Sequence, residues 1–202
     1  MPRRRPGGDI TDGYGNGQGF VVDEKNGVWG QAIEVPGLGA LNASMDVQAA
    51  AVESISCTTP GNCLAGGTYG QPYSWAFVAS EKNGVWGKAI NVPGLQSIVT
   101  GRWAEAGSVS CASPGNCAAS GDYENAVPGN SFGQGYVVSQ RNGRWDQALN
   151  MPGLGALSKP GNTIAFSVSC GAAGHCTAGG YYTDRHGHLQ GFVTQGSTRT
   201  GG

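Results

Sequence analysis

The residues best equipped for chemistry in this chain are its six cysteines. They fall as Cys57 and Cys63, Cys111 and Cys117, and Cys170 and Cys176, six positions apart each time. Each pair flanks a turn: Thr-Thr-Pro-Gly-Asn, Ala-Ser-Pro-Gly-Asn or Gly-Ala-Ala-Gly-His. Six cysteines allow fifteen pairings, but equivalent cysteines in equivalent places favour three local bridges. A Cys at each foot of a short hairpin reaches the Cβ separation of about 4 Å that a disulfide needs. A zinc site fails on ligand count and spacing, with only His175 close by. No metal and no cofactor are expected. Three disulfides place the chain in an oxidising compartment, secreted or at the cell surface.

Other candidates give way to plainer readings. Glu24 and Glu81 recur at the end of one strand, yet the third copy is Gln140, which marks a solvated turn flank rather than a catalytic carboxylate. A sialidase-type site needs clustered arginines for a substrate carboxylate, and Arg102, Arg141, Arg144, Arg185 and Arg199 recur at no fixed place. His186 and His188 could share one side of a strand but occur in a single unit. Asn42-Ala43-Ser44 is a glycosylation sequon. Arg3, Arg4 and Arg5 read as a solvated tail, and a net charge of −1 gives no footprint for nucleic acid. No run of apolar residues is long enough for a membrane span, and no apolar stretch follows the basic start as in a signal peptide.

Two aromatic sets remain. Trp29, Trp86 and Trp145 follow one turn in every unit and are expected to pack between units rather than stack on sugars. Tyr14, Tyr73, Trp75, Tyr123, Tyr181 and Tyr182 sit around loops of variable length, where binding usually resides. Amphipathic aromatics suit glycan or protein contacts, so this second set is the expected ligand face.

The elements that carry these residues repeat. Phe20, Phe77, Tyr136 and Phe192 align at spacings of 57, 59 and 56 residues, each within a Gly-Phe-Val-Val type segment. Asn-Gly follows at Asn26, Asn83 and Asn142, then the three tryptophans, then Pro-Gly-Leu at Pro36, Pro93 and Pro152. A Ser-(Ile/Val)-Ser-Cys segment then leads into each cysteine pair. Each unit reads as four short strands: a first ending in Cys, a second after the Cys turn, a third through the aligned aromatic, and a fourth through the Trp. Asn-Gly supplies φ > 0 for the third turn, and Pro-Gly-Leu breaks pairing before the next unit. Only the Ala-rich stretch 47–52 carries a hint of helical period. With 37 glycines in 202 residues, thin all-β layers are expected rather than one deep core.

The segments 108–121 and 80–86 resemble secreted actinobacterial disulfide-repeat proteins. They are also similar to the sialidase-like and photosystem-assembly-factor-like propellers, whose blades carry an Asp-box turn ending in Trp. The resemblance implies a β-propeller blade and, because such blades serve enzymes, lectins and scaffolds alike, no particular function. The expected fold is thus an all-β, propeller-like array of four-stranded antiparallel blades, about 3.5 repeats of 54–59 residues, with a three-fold β-prism or β-trefoil as the alternative. Residues 1–7 form a basic tail and 196–202 a second tail. The repeat domain spans 8–195, as partial unit 8–38, units 39–95 and 96–154, and partial unit 155–195. The segment 8–22 should be sheet-paired, since it aligns without gaps on 180–194. The expected function is a non-catalytic extracellular binding or adhesion module for a glycan or protein. A self-assembling structural protein, homo-oligomeric through its incomplete end repeats, is the alternative; a glycoside-processing enzyme ranks below both.

Overall fold

A computed structural model describes residues 8–11, 16–43, 45–157 and 162–196. The tails 1–7 and 197–202, the loop holding Tyr14, and Ser44 of the sequon lie outside them. The chain is all-β, 62% strand and 7% helix, and its antiparallel sheets curl into a half-barrel.

The first unit contributes β1 (Gly8–Thr11), β2 (Gly17–Val21), β3 (Glu24–Lys25), β4 (Val28–Trp29) and β5 (Ile33–Glu34). The second contributes β6 (Val47–Thr59), β7 (Asn62–Gln71), β8 (Trp75–Lys82), β9 (Val85–Trp86) and β10 (Ile90–Asn91). The third contributes β11 (Ser108–Ser113), β12 (Asn116–Val127), β13 (Asn130–Arg141), β14 (Arg144–Trp145) and β15 (Leu149–Asn150). The fourth holds β16 (Thr163–Ala172), β17 (His175–Thr183) and β18 (Leu189–Gln195). The two middle units are complete meanders with β6 and β11 as edge strands, whereas the outer units pair in the orders β1-β2-β5 and β16-β17-β18. Of the expected pairing of 8–22, residues 8–11 pair with 17–20, Gly8 opposite Phe20 and Thr11 opposite Gly17, while 12–15 lie outside the described residues. No strand pairing joins the first and last sheets among the described residues.

Local sequence explains the turns. Asn26, Asn83 and Asn142 all adopt left-handed backbone, φ 54°, 53° and 49°, each followed by a left-handed Gly. Only Asn, Asp or Gly takes that conformation cheaply, which makes Asn-Gly the hairpin former. One further glycine per unit is dictated by contact. A Cβ on Gly67, Gly121 or Gly180 would sit about 2 Å from the carbonyl oxygen of Ala51 in β6, Glu105 just before β11, or Ile164 in β16. The two strands could not approach so closely with any other residue.

Two expectations need correction. Residues 47–52 belong to the 13-residue strand β6 and not to a helix; pairing with β7 overrides the weak helical preference of alanine. The helical turns follow Pro-Gly instead, as α1 (Leu38–Asn42), a 3-10 turn at Leu95–Ser97 and α2 (Leu154–Leu157), where the first leucine of each is buried. The fourth strand is also not continuous. It splits into two-residue pieces, β4 and β5, β9 and β10, β14 and β15, because the chain at Gly30, Gly87 and Asp146 turns its amide back to Asp23, Ser80 and Ser139.

Neighbouring units share small cores. Val21, Val35, Leu38 and Val52 pack with Phe77 and Trp86, while Leu64, Val78, Val109, Tyr136 and Val138 form the next cluster. The three expected disulfides are formed, Cys57–Cys63, Cys111–Cys117 and Cys170–Cys176.

Candidate functional site

The inner strands β6, β11 and β16 are joined by a ladder of hydroxyls. The Val109 amide donates to Ser54 Oγ at 3.1 Å and the Cys111 amide to Ser56 Oγ at 3.0 Å. One unit on, the Val168 and Cys170 amides donate to Ser108 Oγ and Ser110 Oγ at 3.1 and 3.0 Å. The repeated Ser-x-Ser-Cys segment therefore grips the edge of the following inner strand through side chains. Sequence reading found the segment but not this role, because nothing in its spacing says where the hydroxyls point.

At the first unit the ladder stops. Ile55 and Cys57 hold the register positions of Val109 and Cys111, and among the described residues no hydroxyl reaches their amides. In its place lies a groove of about 1000 Å³. Phe20, Val22, Asp23, Glu24, Lys25 and Trp29 form one wall and Glu53, Ser54, Ile55, Cys57 and Thr59 the other, with Glu81, Asn83 and Trp86 between them. Exposure follows the missing strand. Ile55 is 36% exposed where Val109 and Val168 are 6%, and Trp29 is 64% exposed where Trp86 is 8%. Trp86 packs on Cys63 and Ala65 of its own unit, and Trp145 packs, partly buried, against the cluster holding Cys117. Trp29 has no such hairpin in the described first unit, so the three tryptophans do not share one environment.

The acids of the groove are coupled. Glu81 is buried, and its carboxyl is pushed above the usual carboxylate range by that burial and then by Asp23. The same seat one unit on holds Gln140, whose Nε2 donates to Ser80 Oγ at 3.2 Å. Ser80 is the counterpart of Asp23. An amide on a hydroxyl thus joins the second and third units, and the equivalent two positions between the first and second hold carboxyls. A second acidic group lies at the next interface. Asp122, in β12, is pushed up to about 8 by burial, by Glu105 both through charge and through a side-chain hydrogen bond, and by Glu53. Glu53, in β6, and Glu105 both lie near Gly107, just before β11. The expected solvated turn flank is corrected, since Glu81 and Gln140 are both buried, and the second group was not visible in the sequence, where Asp122 replaces Thr68 of the previous unit with no change of pattern.

The expected ligand aromatics are not brought together. Tyr123 must be corrected: it is 2% exposed, and its hydroxyl donates to Asn150 Oδ1 at 2.7 Å. Tyr69 makes the equivalent bond to Asn91, so this Tyr is a structural element of the repeat. Tyr182, at the same position in the last unit, packs against a core cluster, and Tyr181 lies 5.4 Å from the Phe166 ring. Tyr73 is exposed beneath Arg102, 5.2 Å from the ring centre, and Trp75 is half-buried.

The sequon is corrected too. Asn42 is fully buried, its Nδ2 donating to Gly17 O and its Oδ1 receiving the Ala49 and Gly70 amides; it closes a loop and offers no free amide to a glycan. His186 and His188 sit in an exposed turn organised by Asp184, which accepts both backbone amides. Among the described residues no three His, Cys, Asp or Glu side chains gather as a metal site. No described helix is long and apolar enough to cross a membrane. No protein-family model matches the chain, and neither does any curated protein.

Proposed function

We propose that this chain is a non-catalytic extracellular binding module, built as a propeller-like array and holding its ligand in the groove between its first and second units. The observation that carries the reading is the pair Trp29 and Ile55, laid open in that groove while their repeats are buried. An exposed indole beside apolar walls and carboxylates suits a glycan or a polypeptide. Three disulfides support an oxidising compartment. The four-strand meanders support kinship with Asp-box propellers, and with it an extracellular adhesion role. Catalysis is disfavoured because the seat of Glu81 accepts Gln140 one unit on and there serves the interface. The test is Trp29→Ala, assayed by glycan-array and peptide-array binding alongside thermal melting. Loss of binding with an unchanged melt supports the reading; retained binding of every ligand found for the wild type sinks it.

A further inference from the structure

The ligand class can be narrowed, on the premise that the groove is the ligand site. We propose that the groove receives an extended polypeptide strand from a separate protein, bearing small hydroxyl side chains at alternate positions with an apolar residue between them. The argument is continuity with an interface the molecule already builds twice. At each closed interface two serines, two residues apart, accept the edge amides of the next inner strand at 3.0–3.1 Å. Their intervening residue, Ile55 or Val109, lies between those rungs. β6 is the edge strand of its sheet, and it presents the amides of Ile55 and Cys57 to the groove in the same register. Alternate residues on a strand repeat at about 6.6 Å, so a second strand meets both amides without adjustment, and an edge strand is the usual template for such addition.

The walls fit the same guest. Phe20, Ile55 and Trp29 offer apolar surface around the two hydroxyls, while the residue between them faces away from β6 as Ile55 faces away from β11, and Asp23 and Glu24 at the rim favour a guest that is neutral or basic at its ends. Closing the groove would give Ile55 and Trp29 the burial that Val109 and Trp86 have. A glycan also carries hydroxyls, but it has no obligation to place them at the spacing of alternate strand residues.

The experiment uses the full oxidised chain and an amide-capped peptide of residues 106–113 with C111A. Its control is the same peptide with both serines of the Ser-Val-Ser segment replaced by alanine. Calorimetry reads affinity, and hydrogen exchange reads protection at individual amides. The expected result is saturable binding that protects Ile55 and Cys57 and weakens about tenfold with the alanine control, the effect of two neutral hydrogen bonds. Equal affinity for both peptides overturns the proposal, as does binding that leaves the two amides unprotected. Glycan binding that needs Trp29, with no peptide binding, overturns it while leaving the groove as the ligand site. Indifference of every ligand to Trp29→Ala removes the premise as well. Two further outcomes would also overturn it: binding only after deletion of residues 1–7, which names the chain's own N-terminus as occupant, and concentration-dependent protection without peptide, which names a second copy.

Discussion

The interface between the first and second units and that between the second and third are assembled from the same parts, and only one of them is closed. At the closed one, Ser54 and Ser56 hold the next inner strand, Val109 is buried, and Gln140 reaches Ser80. At the open one, Ile55 and Trp29 face a groove that Glu81 and Asp23 both line. The difference separates two things a repeat residue does. Type and spacing fix which strand a residue joins, but its burial depends on whether a neighbour supplies the opposing strand.

The largest test of this contrast is the tryptophan pair. Trp86→Ala should cost about 3–5 kcal/mol, as expected for truncating a large buried side chain. Trp29→Ala should stay within about 0.5 kcal/mol, as for an exposed site. Chemical denaturation of both variants checks this, and equal losses would erase the distinction between the interfaces.

The disulfides should not follow the contrast. Replacing Cys57 and Cys63, or Cys111 and Cys117, by alanine should cost about 2 kcal/mol in either unit, because closing so short a loop acts on the unfolded chain. Unequal losses measured by denaturant melts would mean that the groove side is strained or loosened in the native state.

Smaller again is the ladder. Ser54→Ala leaves the Val109 amide without its acceptor and should cost about 1 kcal/mol. Ser167→Ala, at the exposed equivalent position in β16, should be neutral within about 0.5 kcal/mol. A double-mutant cycle of Ser54→Ala with Ser108→Ala should show coupling of about 0.5 kcal/mol or more, because Ser108 is joined to the Val109 amide that Ser54 accepts.

The finest test is titration. Glu81 and Asp122 both hold their protons to higher pH in the folded chain than in the unfolded one. Their contribution to stability is then complete below about pH 4, the ordinary carboxylate range, and is lost as pH rises through the folded values, about 8 for Asp122. Glu81→Gln should therefore flatten part of the decline above about pH 4, since Gln cannot ionise beside Asp23. Asp122→Asn should flatten the part that continues toward pH 8. Melting curves across that range decide it, and an unchanged slope in either variant removes that residue from the account.

Much of the fold was legible because turn chemistry is local. Asn83 followed by Gly names its left-handed turn with no help from the rest of the chain, and Cys111 with Cys117 names its hairpin. The split of the last strand at Gly30 and the helical turn after Gly37 were not legible, since both answer to backbone partners elsewhere. The candidate site was less visible. Tyr123 and Tyr73 look alike in sequence, and only the partner Asn150 distinguishes a core hydroxyl from an exposed ring. Ile55 and Val109 are nearly interchangeable letters, so the groove between them and their neighbours could be found only in three dimensions.

The serine rungs couple the second unit to the third and the third to the fourth, so stability along this part of the molecule is passed from neighbour to neighbour, as in a row of linked springs. Opening free energy should accordingly form a gradient, lowest in β1 and β18 and highest in β7, β8, β12 and β13, and heat should unfasten the chain from its outer sheets inward. A guest strand in the groove would then act as more than a ligand: by fastening the first sheet, it would raise the resistance of every unit behind it.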